Sequence, residues 1–209
     1  MFEPKWKSLL ANTTTPLFSP AQCQDIINMG HQQKQEEAKV GHKGGRQGKH
    51  DTKKRVTTIS WIPFTAMPNF YKRIESTMLR SNGNHFGYEG MQITEPAQFT
   101  KYPKGGFYDW NMDAETHCQY EPPVRKISMT LLLSDPTEFS GGELEFMTTG
   151  NKPENLRQGQ AIFFCSMLRH RVAKVKKGIR QSLVMWFGGP PFNEPRTSIS
   201  NSCLYRAVS

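Results

Sequence analysis

Asp109, Asn111 and Asp113 stand two residues apart, so an extended strand would point all three side chains the same way. His117 follows closely in a loop. Much further along, His170 comes after an apolar run and Arg180 ten residues later, while Tyr102 precedes the acidic segment. Carboxylate and imidazole groups are metal ligands, and the set of two imidazoles and one carboxylate is the habit of non-haem iron. A guanidinium stays charged and can grip a carboxylate through two parallel hydrogen bonds. Each residue has a plainer reading when taken alone: His170 as a satisfied structural histidine, Arg180 as a surface charge at the start of a strand, Asp113 as a turn residue. Cys23, Cys118, Cys165 and Cys203 lie far apart with no CxxC pair, which argues against a zinc module and a dense disulfide framework. Cys165 ends an apolar run and reads as a small core residue.

The elements that must position these groups are legible in part. Ser19-Pro20-Ala21-Gln22 reads as a helix start, with Ser19 as cap, Pro20 at the first helical position and Gln22 closing a capping box. Cys23, Ile26 and Ile27 should then face the core, and Gly30 should end the helix. The spacing of Phe70, Ile74 and Met78 predicts a second helix over about Asn69 to Leu79. From residue 91 the texture becomes strands and turns. In RKISMTLLL, Ile127, Met129, Leu131 and Leu133 share one face by alternation. A turn, SDPTEFSGG, leads to a short strand ELEF, and then come strands at QAIFFC, RVAKV and RQSLVMWF. Two helices beside at least six short antiparallel strands suggest a mainly β, jelly-roll architecture. At 209 residues and 36% hydrophobic, the chain suits a single domain, with residues 1–90 as a helical and loop support region, 91–190 as the core and 191–209 as a tail.

Three segments carry a family resemblance: YPKGGFYDWNMD at 102–113, RKISMTLLLSDPTEFSGGELEF at 125–146, and GQAIFFCSMLRHRVAKVKKGIRQSLVMWF at 159–187. Together they resemble the 2-oxoglutarate/iron(II) oxygenases, and within them the PKHD-type and prolyl 4-hydroxylase-like branch. The likeness extends weakly upstream through FSPAQCQDII and RVTTISWIP. It implies a double-stranded β-helix with flanking helices, Fe(II) and 2-oxoglutarate as cofactors, ascorbate as a supporting reductant, and hydroxylation of a peptidyl or amino-acid side chain such as proline. It further implies a metal set of positions 111, 113 and 170, the last 57 residues after Asp113. Arg180, and with it the Tyr102 hydroxyl, would hold the distal carboxylate of 2-oxoglutarate.

One position departs from the pattern. The family has His-x-Asp where this chain has Asn111-Met112-Asp113. Asn111 is an inactivating substitution, or a tolerated but weaker ligand, or a position for which Asp109 or His117 steps in. The alternative to an oxygenase is accordingly a catalytically inactive jelly-roll binding protein that retains the 2-oxoglutarate pocket.

Net charge is +9, which favours anionic partners. Between His31 and Arg55, eight Lys or Arg face three acidic residues among scattered glycines, which reads as a solvated loop or a lid. Such a lid would favour an acidic peptide. Nucleic-acid repair by another branch of the superfamily fits poorly, because Arg180-Gln181-Ser182 lacks that branch's signature and the basic loop lacks the interleaved aromatics of a stacking surface. The N-terminus lacks a signal-peptide core and no stretch reaches membrane-spanning length, so a cytoplasmic protein is expected, and the family resemblance adds the expectation of a bacterial or phage type.

Overall fold

The computed structural model describes residues 8–38, 51–114, 123–147 and 153–191. In chain order the elements are β1 (Leu10–Asn12), α1 (Pro20–Gln32), β2 (Glu36–Glu37), β3 (Arg55–Val56), β4 (Thr58–Ile62) and α2 (Pro68–Ser81). A single π-turn (Asn82–Phe86) extends α2, followed by β5 (Gln92–Ile93), β6 (Ala97–Tyr102), β7 (Phe107–Asn111) and β8 (Val124–Leu132). Then come β9 (Ser140–Gly141), β10 (Leu144–Phe146), β11 (Pro153–Glu154), β12 (Ala161–Cys165), β13 (His170–Val172), β14 (Val175–Lys177) and β15 (Arg180–Gly189).

The strands pair antiparallel into a larger sheet, β1-β12-β8-β15-β6-β4-β2 with β5 beside β15, and a smaller one, β11-β10-β13-β7-β3. This is the jelly roll expected from the strand pattern. Alternation along the larger sheet gives it two different faces. Ile127, Met129 and Leu131 of β8 and Leu183, Met185 and Phe187 of β15 pack with Ile26 of α1 and Ile74 and Met78 of α2. The other face turns to the smaller sheet, where Leu132, Ile162 and Phe164 meet Leu144, Phe146 and Val172. It also buries a polar strip: Gln98 and Thr100 on β6, Ser128 and Thr130 on β8, and Arg180 and Ser182 on β15. Buried polar side chains must find partners, and these do so across strands, Thr100 Oγ1 with Ser182 Oγ at 2.7 Å and Ser128 Oγ with Ser166 Oγ at 2.9 Å.

The α1 start is as read: the Gln22 backbone N–H donates to Ser19 Oγ, and the Ser19 N–H donates to Gln22 Oε1. Its end is not. The helix runs past Gly30 to Gln32, because Gly30 is a contact point and not a terminator. A Cβ there would lie 2.4 Å from Phe99 Cγ, so only glycine lets α1 approach β6 this closely. The second helix covers Pro68–Ser81, enclosing the expected Asn69 to Leu79, and RVAKV divides into β13 and β14. The stretch before residue 91 also supplies strands: β1 pairs with β12, β4 with β6 and β3 with β7. Of the basic 31–55 stretch, residues 39–50 lie outside the described residues.

Candidate active site

β7 and β13 are neighbours in the smaller sheet, and their register sets Asn111 directly opposite His170. The shift between the His170 and Val172 pairings marks an irregularity here, a common device for re-aiming side chains. Asp113 lies two residues beyond the end of β7, tethered by its N–H to the Ser166 carbonyl at 3.1 Å. It therefore converges on His170 through a turn, not through strand alternation. His170 Nε2 and Asp113 Oδ2 are 3.6 Å apart, and both side chains are about nine-tenths buried.

Hydrogen bonds fix which lone pairs face this gap. His170 Nδ1 is 3.0 Å from the Leu168 carbonyl, which can only accept, so Nδ1 carries the proton and Nε2 keeps its lone pair. Asn111 Nδ2 donates to the carbonyls of Asp109 and His170, at 2.9 and 3.1 Å, which assigns the amide orientation and leaves Oδ1 on the other side. Asn111 Oδ1 and Asp113 Oδ2 are both buried with no hydrogen-bond partner. Orphaned buried acceptors are costly and ask for an explanation. A cation answers for Asp113 Oδ2: its 3.6 Å from His170 Nε2 is too long for a hydrogen bond, yet one ion can touch both atoms at the roughly 2.1 Å of first-row metal bonds. Phe146 and Phe164 wall the histidine, with ring centroids 6.0 and 4.7 Å from the imidazole. The donors present thus fit a metal ion, although among the described residues no three His, Cys, Asp or Glu side chains cluster. Asp109 is exposed and stays outside the group, contributing only its backbone carbonyl. His117 and Cys118 lie outside the described residues, as does Cys203.

Arg180 opens β15 opposite Tyr102 on β6. It is 3% exposed, its Nη1 donates to Ser182 Oγ at 2.8 Å, and its guanidinium lies 5.7 Å from the Tyr102 ring. No carboxylate lies within ion-pair distance among the described residues. Burial pushes its pKa down, only partly offset by Tyr102 and Glu143. Gly142 makes room for it: at φ +70°, it would place a Cβ 2.9 Å from Arg180 Cδ. Arg180 also borders a cavity of about 250 Å³ under the 139–144 turn, whose lining excludes Asn111, Asp113 and His170. Tyr102, 2% exposed, joins the inter-sheet core.

Sequence reasoning missed Tyr108. It packs against the inter-sheet core, and burial holds its pKa up, with Arg55 pulling it down and Asp113 and Tyr102 pushing it up. Its ring carries the Arg55 guanidinium at 4.4 Å. The GGFYDW stretch gave no period from which to pick it out. Cys165 is buried as expected, facing the Tyr88 hydroxyl at 3.6 Å.

Residues 97–188 match the family model of the 2OG-Fe(II) oxygenase superfamily. PKHD-type hydroxylases are similar: that of Parvibaculum lavamentivorans is 36% identical over 95 residues, covering 44% of this chain and 42% of the relative. That of Aliarcobacter butzleri is 30% identical over 126 residues, covering 57% and 55%. The chain spans about half the length of the curated relatives it matches. In three dimensions it resembles a viral collagen prolyl hydroxylase from Paramecium Bursaria Chlorella virus-1 in complex with 2OG, with TM-score 0.68, 19% identity, and coverage of 88% of this chain and 97% of that one. A Pseudomonas putida prolyl-4-hydroxylase gives TM-score 0.61, 18% identity, and coverage of 87% and 93%. The resemblance carried by the three sequence segments is borne out.

Proposed function

We infer that this chain, similar in sequence to PKHD-type hydroxylases and in fold to prolyl hydroxylases, is a 2-oxoglutarate- and Fe(II)-dependent dioxygenase that hydroxylates a peptidyl or amino-acid side chain. The observation that carries this reading is Asp113 Oδ2, buried without a hydrogen-bond partner 3.6 Å from the lone pair of His170 Nε2, with a second orphaned buried oxygen, Asn111 Oδ1, on the residue paired with His170. In this reading Asn111, Asp113 and His170 hold the iron, and Arg180 with the Tyr102 hydroxyl holds the distal carboxylate of 2-oxoglutarate. Iron, when bound, supplies oxygen activation coupled to decarboxylation: R–H, 2-oxoglutarate and O2 give R–OH, succinate and CO2.

The chain's own part is positional. The Leu168 carbonyl keeps the imidazole in the ligating tautomer. The Asp109 and His170 carbonyls hold the Asn111 amide by its nitrogen, so in this reading its free oxygen would be a neutral, weaker donor in place of an imidazole. Phe146 and Phe164 keep water from the histidine. Arg180 waits, buried, for an anion. Ascorbate would serve as reductant, and a prolyl-containing peptide, acidic by the chain's +9 charge, is the substrate class this reading favours. Among the described residues no helix is long and apolar enough to cross a membrane.

The neutral Asn111 also supports a second reading, a binding protein that keeps the 2-oxoglutarate pocket without turnover. Succinate release with and without Fe(II), for this chain and for Asn111→His, separates the two. The histidine variant should turn over faster, and this chain should show an anaerobic Fe(II)–2-oxoglutarate charge-transfer band. Iron binding without succinate from either protein would defeat the oxygenase reading, and a missing band would favour the second.

A further inference from the structure

Arg125 and Arg171, at the rim, have their charges met by Glu95 and Glu145, at 2.6 and 2.8 Å. Arg55 does not. It begins β3, the edge of the smaller sheet, and reaches across to the larger one, where its Nη2 donates to Gln98 Oε1 of β6 at 3.2 Å. It is 8% exposed, its Nε is buried without a partner, and among the described residues no carboxylate stands within ion-pair distance. Its remaining neighbour is the Tyr108 ring on β7. A desolvated cation held only by an amide and an aromatic face is a poor structural device, and a good receptor for an anion. Arg55 pairs with Tyr108, which lies three residues before Asn111 on β7, or about 10 Å along the strand, and pairs in turn with Val172 two residues after His170.

Arg55 and Arg180 occupy different positions on the same sheet face. Arg55 is anchored at Gln98 and Arg180 at Tyr102, four residues apart on β6, or about 13 Å along the strand. In the oxygenase reading the other carboxylate of 2-oxoglutarate is committed to the iron, which leaves Arg55 for a second anion. We propose that Arg55, with Gln98 and Tyr108, binds a carboxylate of the substrate to be oxidised. This rests on the oxygenase reading for what the substrate then undergoes, but the anion site stands on Arg55 itself.

The test uses the full chain loaded with Mn(II) and 2-oxoglutarate, whose own binding is measured first. Calorimetric titration then compares acetyl-Gly-Glu-Pro-Glu-Gly-amide, its Gln counterpart and free L-proline. A carboxylate-bearing probe should bind about tenfold or more tighter than the Gln peptide. Arg55→Gln should bring that ratio near one, Arg55→Lys should restore part of it, and neither should alter 2-oxoglutarate affinity. Preference for the Glu peptide assigns the carboxylate to a side chain, and preference for L-proline assigns it to the α-carboxylate. Equal binding of the Glu and Gln peptides with no gain for L-proline, a ratio that survives Arg55→Gln, or no binding by either carboxylate probe overturns the proposal. Failure of 2-oxoglutarate to bind tells instead against the oxygenase reading, and the same ratio on the metal-free chain still decides the role of Arg55.

Discussion

Arg180→Met should move ligand affinity and stability in opposite directions. The guanidinium is 3% exposed, bonded to Ser182 Oγ, and its pKa is depressed by burial, so the ligand-free fold carries a cation whose desolvation its neighbours offset only in part. Losing the Ser182 bond costs about 1 kcal/mol, whereas removing a desolvated charge in favour of a packed apolar chain commonly returns about 1–4 kcal/mol. A net gain of about 1 kcal/mol would raise the ligand-free melting temperature by roughly 2–4 °C for a chain of this size. With 2-oxoglutarate the sign reverses. At a hundred times its Kd the ligand stabilises the unmodified chain by about 2.7 kcal/mol. Loss of a bidentate charged pair worth about 3 kcal/mol weakens binding roughly 150-fold, leaving about 0.3 kcal/mol of stabilisation at the same concentration. Thermal unfolding by circular dichroism, with Mn(II) present and 2-oxoglutarate varied, reads both effects. A Met variant that keeps the full ligand shift, or one that melts several degrees lower without ligand, would refute the reasoning.

Gly30→Ala should destabilise the fold by about 1–3 kcal/mol, since its methyl would overlap the Phe99 ring between α1 and β6, and urea denaturation measures this. The buried thiol of Cys23 is pushed up from 9.0 to about 11, a raised folded-state value that favours the protonated form. The associated stability is intact below pH 9 and is lost as pH rises to about 11, by up to roughly 2.7 kcal/mol. Denaturation midpoints from pH 8 to 11, compared with Cys23→Ala, should fall more steeply in the parent chain than in the variant.

What could be read from the sequence was what repeats locally. The β8 alternation and the Phe70-Ile74-Met78 spacing recur within a few residues, and the Ser19 cap closes within four, so neighbouring positions suffice to recognise them. β1 and β3 are two or three residues long and exist only because β12 and β7 pair with them, about 150 and 50 residues away, so no local period announces them. Gly30 followed the usual logic of a helix terminator, and only the proximity of Phe99 gives it another purpose. The metal donors stood out by type and order, but Tyr108 and Arg55 needed both sheets in place before their burial acquired meaning.

The larger sheet's two unlike faces give its central strands a divided mutational response. Along β15, Leu183, Met185 and Phe187 serve the helices, while Arg180 and Ser182 belong to the polar strip that faces the smaller sheet. Walking an alanine residue by residue through that strand should therefore alternate between proteins that fail to accumulate and proteins that accumulate well but ignore their small acids. Selection for sturdier variants would drift freely at one parity and be nearly frozen at the other, so recruiting a new co-substrate is easiest by exchanging the strip's positions without disturbing those between.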